Sequence, residues 1–102
     1  MAVYDGFGDW KDVQYEFDMN DPEPANVIFA SYEGGNYDGW ATVCWITDDG
    51  KIGYASGSHC SCHGLEGQWD PEFYTKEMFH EMVMRGRGVL YAYRKEIREA
   101  LS

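Results

Sequence analysis

The 102-residue chain predicts an α+β fold: a small antiparallel meander of about three strands packed against two C-terminal helices, with a short helix in front. Three observations carry this. Val27 to Thr47 holds two apolar runs of strand length, Asp48-Asp49-Gly50 turns the second into a third, and after Thr75 the apolar period changes from two residues to 3.6. Strands early and helices late is an α+β order.

Trp10, Val13 and Phe17 recur on one side of the segment from Asp9 to Met19, with Tyr15 off that side. This spacing predicts a short amphipathic helix capped by Asp9, with acids in its first turn matching the helix dipole. Asn20-Asp21-Pro22-Glu23-Pro24 ends it, because two prolines remove donors and push their predecessors to extended geometry. Val27 to Tyr32 reads as a buried strand. Tyr37 to Thr47 reads as the next, with Ala41, Val43 and Trp45 on one face and Trp40, Thr42, Cys44 and Ile46 on the other. Lys51 to Ser56 returns as a third strand after the turn, where Gly50 takes positive φ. Asp70-Pro71-Glu72 is a helix start signal. The helix proper is expected from Thr75 to Met84, burying Met78, Phe79, Met82 and Val83. A last helix from Val89 to Leu101 buries Leu90, Tyr93, Ile97 and Leu101.

Length and a 44% hydrophobic content predict a single globular domain over residues 1–102: an acidic N-terminal segment (1–24), a sheet (25–63) and a helical part (64–102). No signal-peptide pattern and no apolar run of roughly 20 residues is present, so a cytoplasmic protein is expected. Three cysteines cannot all pair, and a reducing compartment leaves thiols free or metal-bound. Net charge is −10, all of it in the first half: residues 1–50 hold eleven acids against Lys11, whereas residues 51–102 balance seven with seven. Such a field repels nucleic acid and attracts basic protein surfaces. It also serves solubility alone.

His59-Cys60-Ser61-Cys62-His63 places four metal-capable side chains in five residues. Thiolate and neutral imidazole match the borderline softness and four-coordinate preference of zinc. On an extended segment Cys60 and Cys62 point to one side and His59 and His63 to the other, so the two thiolates chelate one ion without distortion. His59 joins them if the strand ends at Ser58, and His80 on the following helix closes the site, with His63, Glu66 and Cys44 as competitors. The expected ligand set is His59, Cys60, Cys62 and His80 around a structural zinc ion. Cys44, mid-strand among apolar residues, reads more simply as a small core residue.

A metal-dependent enzyme acting on a nucleotide or nucleic acid is the alternative, with Glu66, Asp70 or Glu72 as base beside a metal-bound water. The deaminase and His-Glu-x-x-His spacings are absent, however, as are a phosphate-cradling glycine loop and a nucleophile elbow. The expectation is no enzymatic activity. Tyr32, Tyr37, Trp40 and Trp69 lie beside acids and suit either a binding surface or an aromatic-rich core.

Ser58-His59-Cys60-Ser61-Cys62-His63-Gly64-Leu65-Glu66-Gly67-Gln68-Trp69-Asp70-Pro71-Glu72 resembles a block of small phage and mobile-element proteins. Ser-Tyr-Glu, Tyr-Asp-Gly and Asp-Gly-Lys between Ile28 and Tyr54 extend the resemblance over roughly residues 26–80. In that family position 63 is commonly aromatic and position 44 aliphatic, which lowers His63 and Cys44 as ligands. A small acidic protein of this origin resembles anti-CRISPR inhibitors. The resemblance implies a zinc-stabilised protein that binds a basic CRISPR-Cas nuclease effector such as Cas9, whose nucleic-acid channel attracts negative charge.

Overall fold

In the computed structural model, which describes residues 2–34, 38–60, 64–86 and 89–101, a five-stranded sheet separates two hydrophobic layers. The elements are β1 (Val3–Asp5), α1 (Trp10–Phe17), β2 (Asn26–Gly34), β3 (Asp38–Ile46), β4 (Ile52–Cys60), β5 (Glu72–Tyr74), α2 (Lys76–Arg85), α3 (Val89–Ala92) and α4 (Arg94–Leu101). The sheet order is β1-β2-β3-β4-β5, with β1 parallel to β2 and the other neighbours antiparallel. The α+β class, the central meander and the flanking helices are those the sequence predicts; two short outer strands widen the sheet. Among the described residues no helix is long and apolar enough to cross a membrane.

β2 feeds both layers because its register slips at Ile28: Val27 pairs with Trp45, and Phe29 pairs with Cys44. Two residues then oppose one, which lets four consecutive apolar residues be buried instead of alternating. Val27 and Ala30 enter one layer, Ile28 and Phe29 the other.

On the first face α1 delivers Trp10, Val13 and Phe17, all buried, as their spacing requires; Tyr15 is 81% exposed. The helix starts where Asp9 accepts from Asp12 N (3.1 Å), while Asp12 Oδ2 accepts from Gly8 N (2.7 Å). It stops at Asp18, in the left-handed region with φ 53°. Trp10, Trp45 and Trp69 form one aromatic group: Trp45 stacks on Trp69 (5.7 Å, 13°) and Trp10 meets both edge-on. Asp21 ties two of the indoles, accepting from Trp10 Nε1 at its backbone oxygen and from Trp69 Nε1 at Oδ2, each at 2.8 Å. Gly53, directly across from Trp45, supplies the floor. A Cβ at Gly53 would fall 2.2 Å from the Trp45 ring, which Trp69 holds from above.

The second face carries Ile28, Phe29, Cys44 and Ile52, covered by Phe79 and Val83 of α2 and Ile97 of α4. Cys44 is fully buried, as its apolar setting suggests, and burial pushes its thiol well up. Three details of the helical part differ from expectation. Asp70-Pro71-Glu72 leads into β5, not a helix, and the cap is Thr75, whose hydroxyl accepts from Met78 N (3.2 Å). Met78 is 55% exposed, since only Phe79, Val83 and part of Met82 reach the sheet. The last helix is broken between α3 and α4, at Tyr93.

Tyr93 stacks on Phe29 (4.3 Å, 6°) and donates its hydroxyl to Asp5 Oδ2 (2.8 Å), tying the helical layer to β1. Burial, and then the Asp5 carboxylate, push its pKa up to about 12. The folded state therefore favours the neutral phenol. This contribution is complete below the ordinary tyrosine pKa and declines as pH rises toward 12. Tyr93→Phe is expected to remove a phenolate transition near pH 12 from the ultraviolet titration and to flatten the loss of stability above pH 10, read by denaturant unfolding across that range.

Candidate functional site

The cysteine-histidine cluster starts on the last residues of β4, at the sheet end opposite the turn that joins β3 to β4. There three strands pair in rows: Glu33–Trp40–Ser58, Gly34–Gly39–His59, and Asp38–Cys60 on β3 and β4 alone. Because cross-strand partners share a face, Glu33, Asp38, Trp40, Ser58 and Cys60 belong to the second face, and His59 to the first.

β4 continues through Cys60 and does not end at Ser58, so His59 and Cys60 alternate across the sheet. The His59 ring lies over Gly39 and meets Tyr32 edge-on at 5.7 Å. A Cβ on Gly39 would sit 2.5 Å from its Nε2. Cys60 is disulfide-bonded. Cys62 and His63 lie outside the described residues. His80 is exposed on α2, beside Phe79, which packs near Tyr54 and Tyr74. Tyr74 pairs with Ile52 at the start of β4, and eight residues of strand, roughly 26 Å, separate Ile52 from Cys60. The structure thus does not bring His80 to His59 and Cys60. The expectation of His80 near the cluster rests only on its helix packing back on the sheet; where along the sheet that helix docks is not a local property of the sequence. Glu66 folds its carboxylate back against Gly64 and lines a shallow groove with Glu16 and Asp18 beside α1. Among the described residues no three His, Cys, Asp or Glu side chains converge as a metal site.

The aromatic candidates separate cleanly. Trp69 belongs to the core group around Trp45. Tyr32 packs against Phe7 at 5.1 Å, and burial, followed by the Glu16 and Glu66 charges, pushes its hydroxyl pKa up. Tyr37 lies outside the described residues. Trp40 is 49% exposed, on the half of the second face that the helices leave bare. Exposed Glu33 is directly across from it, exposed Ser58 is on its other side, and exposed Asp38 is two residues along β3 on the same face. An indole flanked by two carboxylates on an open sheet suits a lysine or arginine: the ring face attracts the cation and the acids complete its charge.

Gln68 is a residue that sequence reasoning missed. β5 pairs only with Ile52 to Tyr54, and among the described residues no strand pairs with the outer edge of β4 further along. Gln68 takes the place of a strand there: its Oε1 accepts from Ser58 N (2.9 Å) and its Nε2 donates to Ser58 O (2.6 Å) and to Gly64 O (2.8 Å). A primary amide carries the same donor and acceptor as a peptide group, but no residue pattern announces that use.

No protein-family model matches the chain, and neither the curated proteins nor the solved structures yield a significant match.

Gln68→Ala is expected to cost about 1–2 kcal/mol, as the Ser58 backbone groups lose a partner. Hydrogen exchange checks it: the Ser58 amide should lose protection while the Val43 and Ala55 amides in the sheet centre keep theirs.

Proposed function

We propose that the chain is an acidic binding protein that inhibits a host defence nuclease, a CRISPR-Cas effector such as Cas9, by direct protein–protein contact. Trp40 carries the reading: a large aromatic side chain held on rigid strand backbone, half exposed, between Glu33 and Asp38. Aromatic side chains of this kind dominate binding energy at interfaces, and a nucleic-acid channel offers arginines and lysines to meet it. The net charge of −10 supports fast encounter with such a channel. The resemblance of the block from Ser58 to Glu72 to proteins of mobile elements supports the same target class.

Acids of α1 are less available for a partner than the sequence suggests. Asp9 and Asp12 satisfy backbone N–H groups at the helix start. Among the described residues the side chains of Glu33, Asp38 and Trp40 cap no helix, so substitution of Trp40 separates binding from folding. In a DNA-cleavage assay with Cas9-type effectors, the protein at micromolar concentration is expected to suppress cleavage and to co-purify with the effector. Trp40→Ala should raise the concentration for half-inhibition by roughly tenfold or more with an unchanged circular dichroism spectrum. Full cleavage and no association would reject the reading.

The same proposal takes Cys60 and Cys62 as thiolate ligands of a structural zinc ion, which pins the end of β4. His80 lies at the other end of the sheet and His59 on the opposite face, so Cys60 and Cys62 stand as two of the four ligands a structural zinc ion takes. Zinc needs thiolates, so it competes with the disulfide at Cys60. Elemental analysis of reduced protein is expected to show one zinc per chain, lost in the Cys60→Ser/Cys62→Ser double variant. Metal retained by that variant would overturn it.

A further inference from the structure

We infer that the open half of the second sheet face is the contact surface of a two-fold symmetric dimer, in which Trp40, Glu33 and Asp38 of each chain receive Tyr91, Arg94 and Arg98 of the other. The inference goes beyond the nuclease reading: it concerns the protein on its own and names a second copy as the occupant, with which a nuclease that engages Trp40 competes.

The surface complementary to Trp40 and its acids is carried by the same chain. Tyr91 on α3 and Arg94 and Arg98 on α4 are exposed, and Arg98 is one helical turn from Arg94, so the two guanidiniums share a side of α4. The Arg94 guanidinium lies 4.1 Å over the Tyr91 ring, and its Nη1 donates to Tyr91 O at 2.9 Å. One face of that plane is covered and its position is fixed, which leaves the other face for an indole and the remaining N–H groups for carboxylates. Trp40 between Glu33 and Asp38 offers that combination. Both Trp40 and Tyr91 are about half exposed, so each ring has apolar surface to bury.

Their placement lets the contact close on itself. Tyr93, between Tyr91 and Arg94, stacks on Phe29 of β2, and Glu33 lies on the same face of that strand four residues on, roughly 13 Å away. The cationic surface thus borders the acidic one on one side of the molecule. A two-fold axis between them sets acid on cation twice, the isologous arrangement that closes at two chains. The second copy brings its helices over exposed Ser56 and Ser58, which carry no bulky side chain to oppose them. The net charge of −10 on each chain opposes association at long range, but salt at about 0.15 M screens charges beyond roughly 8 Å, whereas the paired groups touch.

Sedimentation equilibrium of the purified chain at that salt concentration tests the dimer. The average mass is expected to rise from one chain toward two as protein concentration increases. Glu33→Lys/Asp38→Lys and Arg94→Glu/Arg98→Glu, each with an unchanged circular dichroism spectrum, should weaken dimerisation by roughly tenfold or more. An equal mixture of the two variants should recover a dimer, because the reversed acids of one then face the reversed cations of the other. A wild-type chain that stays monomeric throughout, a dimer indifferent to both variants, or a mixture that stays monomeric overturns the inference. No nuclease enters this measurement: a monomer that suppresses cleavage rejects the dimer alone, and a dimer that leaves cleavage untouched rejects the target class alone.

Discussion

The structure depends on a flat stack of three groups: Gly53 beneath Trp45, and Trp45 beneath Trp69. An indole can lie against a neighbouring strand only where that strand has no side chain, and Gly53 provides that place. Once Trp45 is flat, its upper surface becomes the platform for Trp69, and Trp10 closes the side edge-on. Three distant parts of the chain meet there: α1, the sheet, and the irregular segment after β4. Asp21 ties the arrangement together by accepting from the indole N–H groups of both Trp10 and Trp69. A small core thereby gains order from geometry as well as from buried area.

The two faces of the sheet are used unequally. α1 and the tryptophans cover the first face to its end, where Tyr32 and the His59 ring complete the layer. On the second face burial extends from Ile52 and Cys44 as far as Ser31 and Thr42, and leaves Trp40, Ser56 and Ser58 exposed. The bare half carries small polar residues, Ser56 and Ser58, around one large aromatic residue. Serines on a strand face give a shallow surface, so Trp40 stands proud of it. Rigid backbone, low surroundings and adjacent acids together make this the part of the protein best suited to contact.

Much of this was legible in the sequence because it was local. The α1 stripe, the alternation in β3, the 48–50 turn and the burial of Cys44 each follow from periods of a few residues, and the structure carries all four. What was not legible depended on partners distant in sequence. β1 is three residues long and gains its strand character from parallel pairing with β2. β5 hid within a helix start signal, since Asp-Pro-Glu satisfies capping rules whether or not a helix follows. The break at Tyr93 is set by Phe29 and Asp5, more than sixty residues away. For the candidate site, residue chemistry drew attention to the end of β4, whereas His80 lies beside Phe79 near the other end of that strand, a separation that depends on where α2 docks and not on any local pattern. Trp40 and Trp69 were equivalent on paper, and only the stack on Trp45 separates them.

The amide of Gln68 also bears on how molecules of this protein meet one another. An exposed strand edge is a template for a strand from a second molecule, and β5 guards only the first residues of β4. By occupying both backbone groups of Ser58, near the middle of the uncovered stretch, one side chain interrupts the run of open donors and acceptors that a foreign strand would need. The protection is steric and directional, and it works without charge in a chain that otherwise relies on charge for solubility. Resistance to edge-to-edge aggregation therefore rests on a residue outside the hydrophobic core, and the fold can be well packed and still self-associate if that one contact is absent.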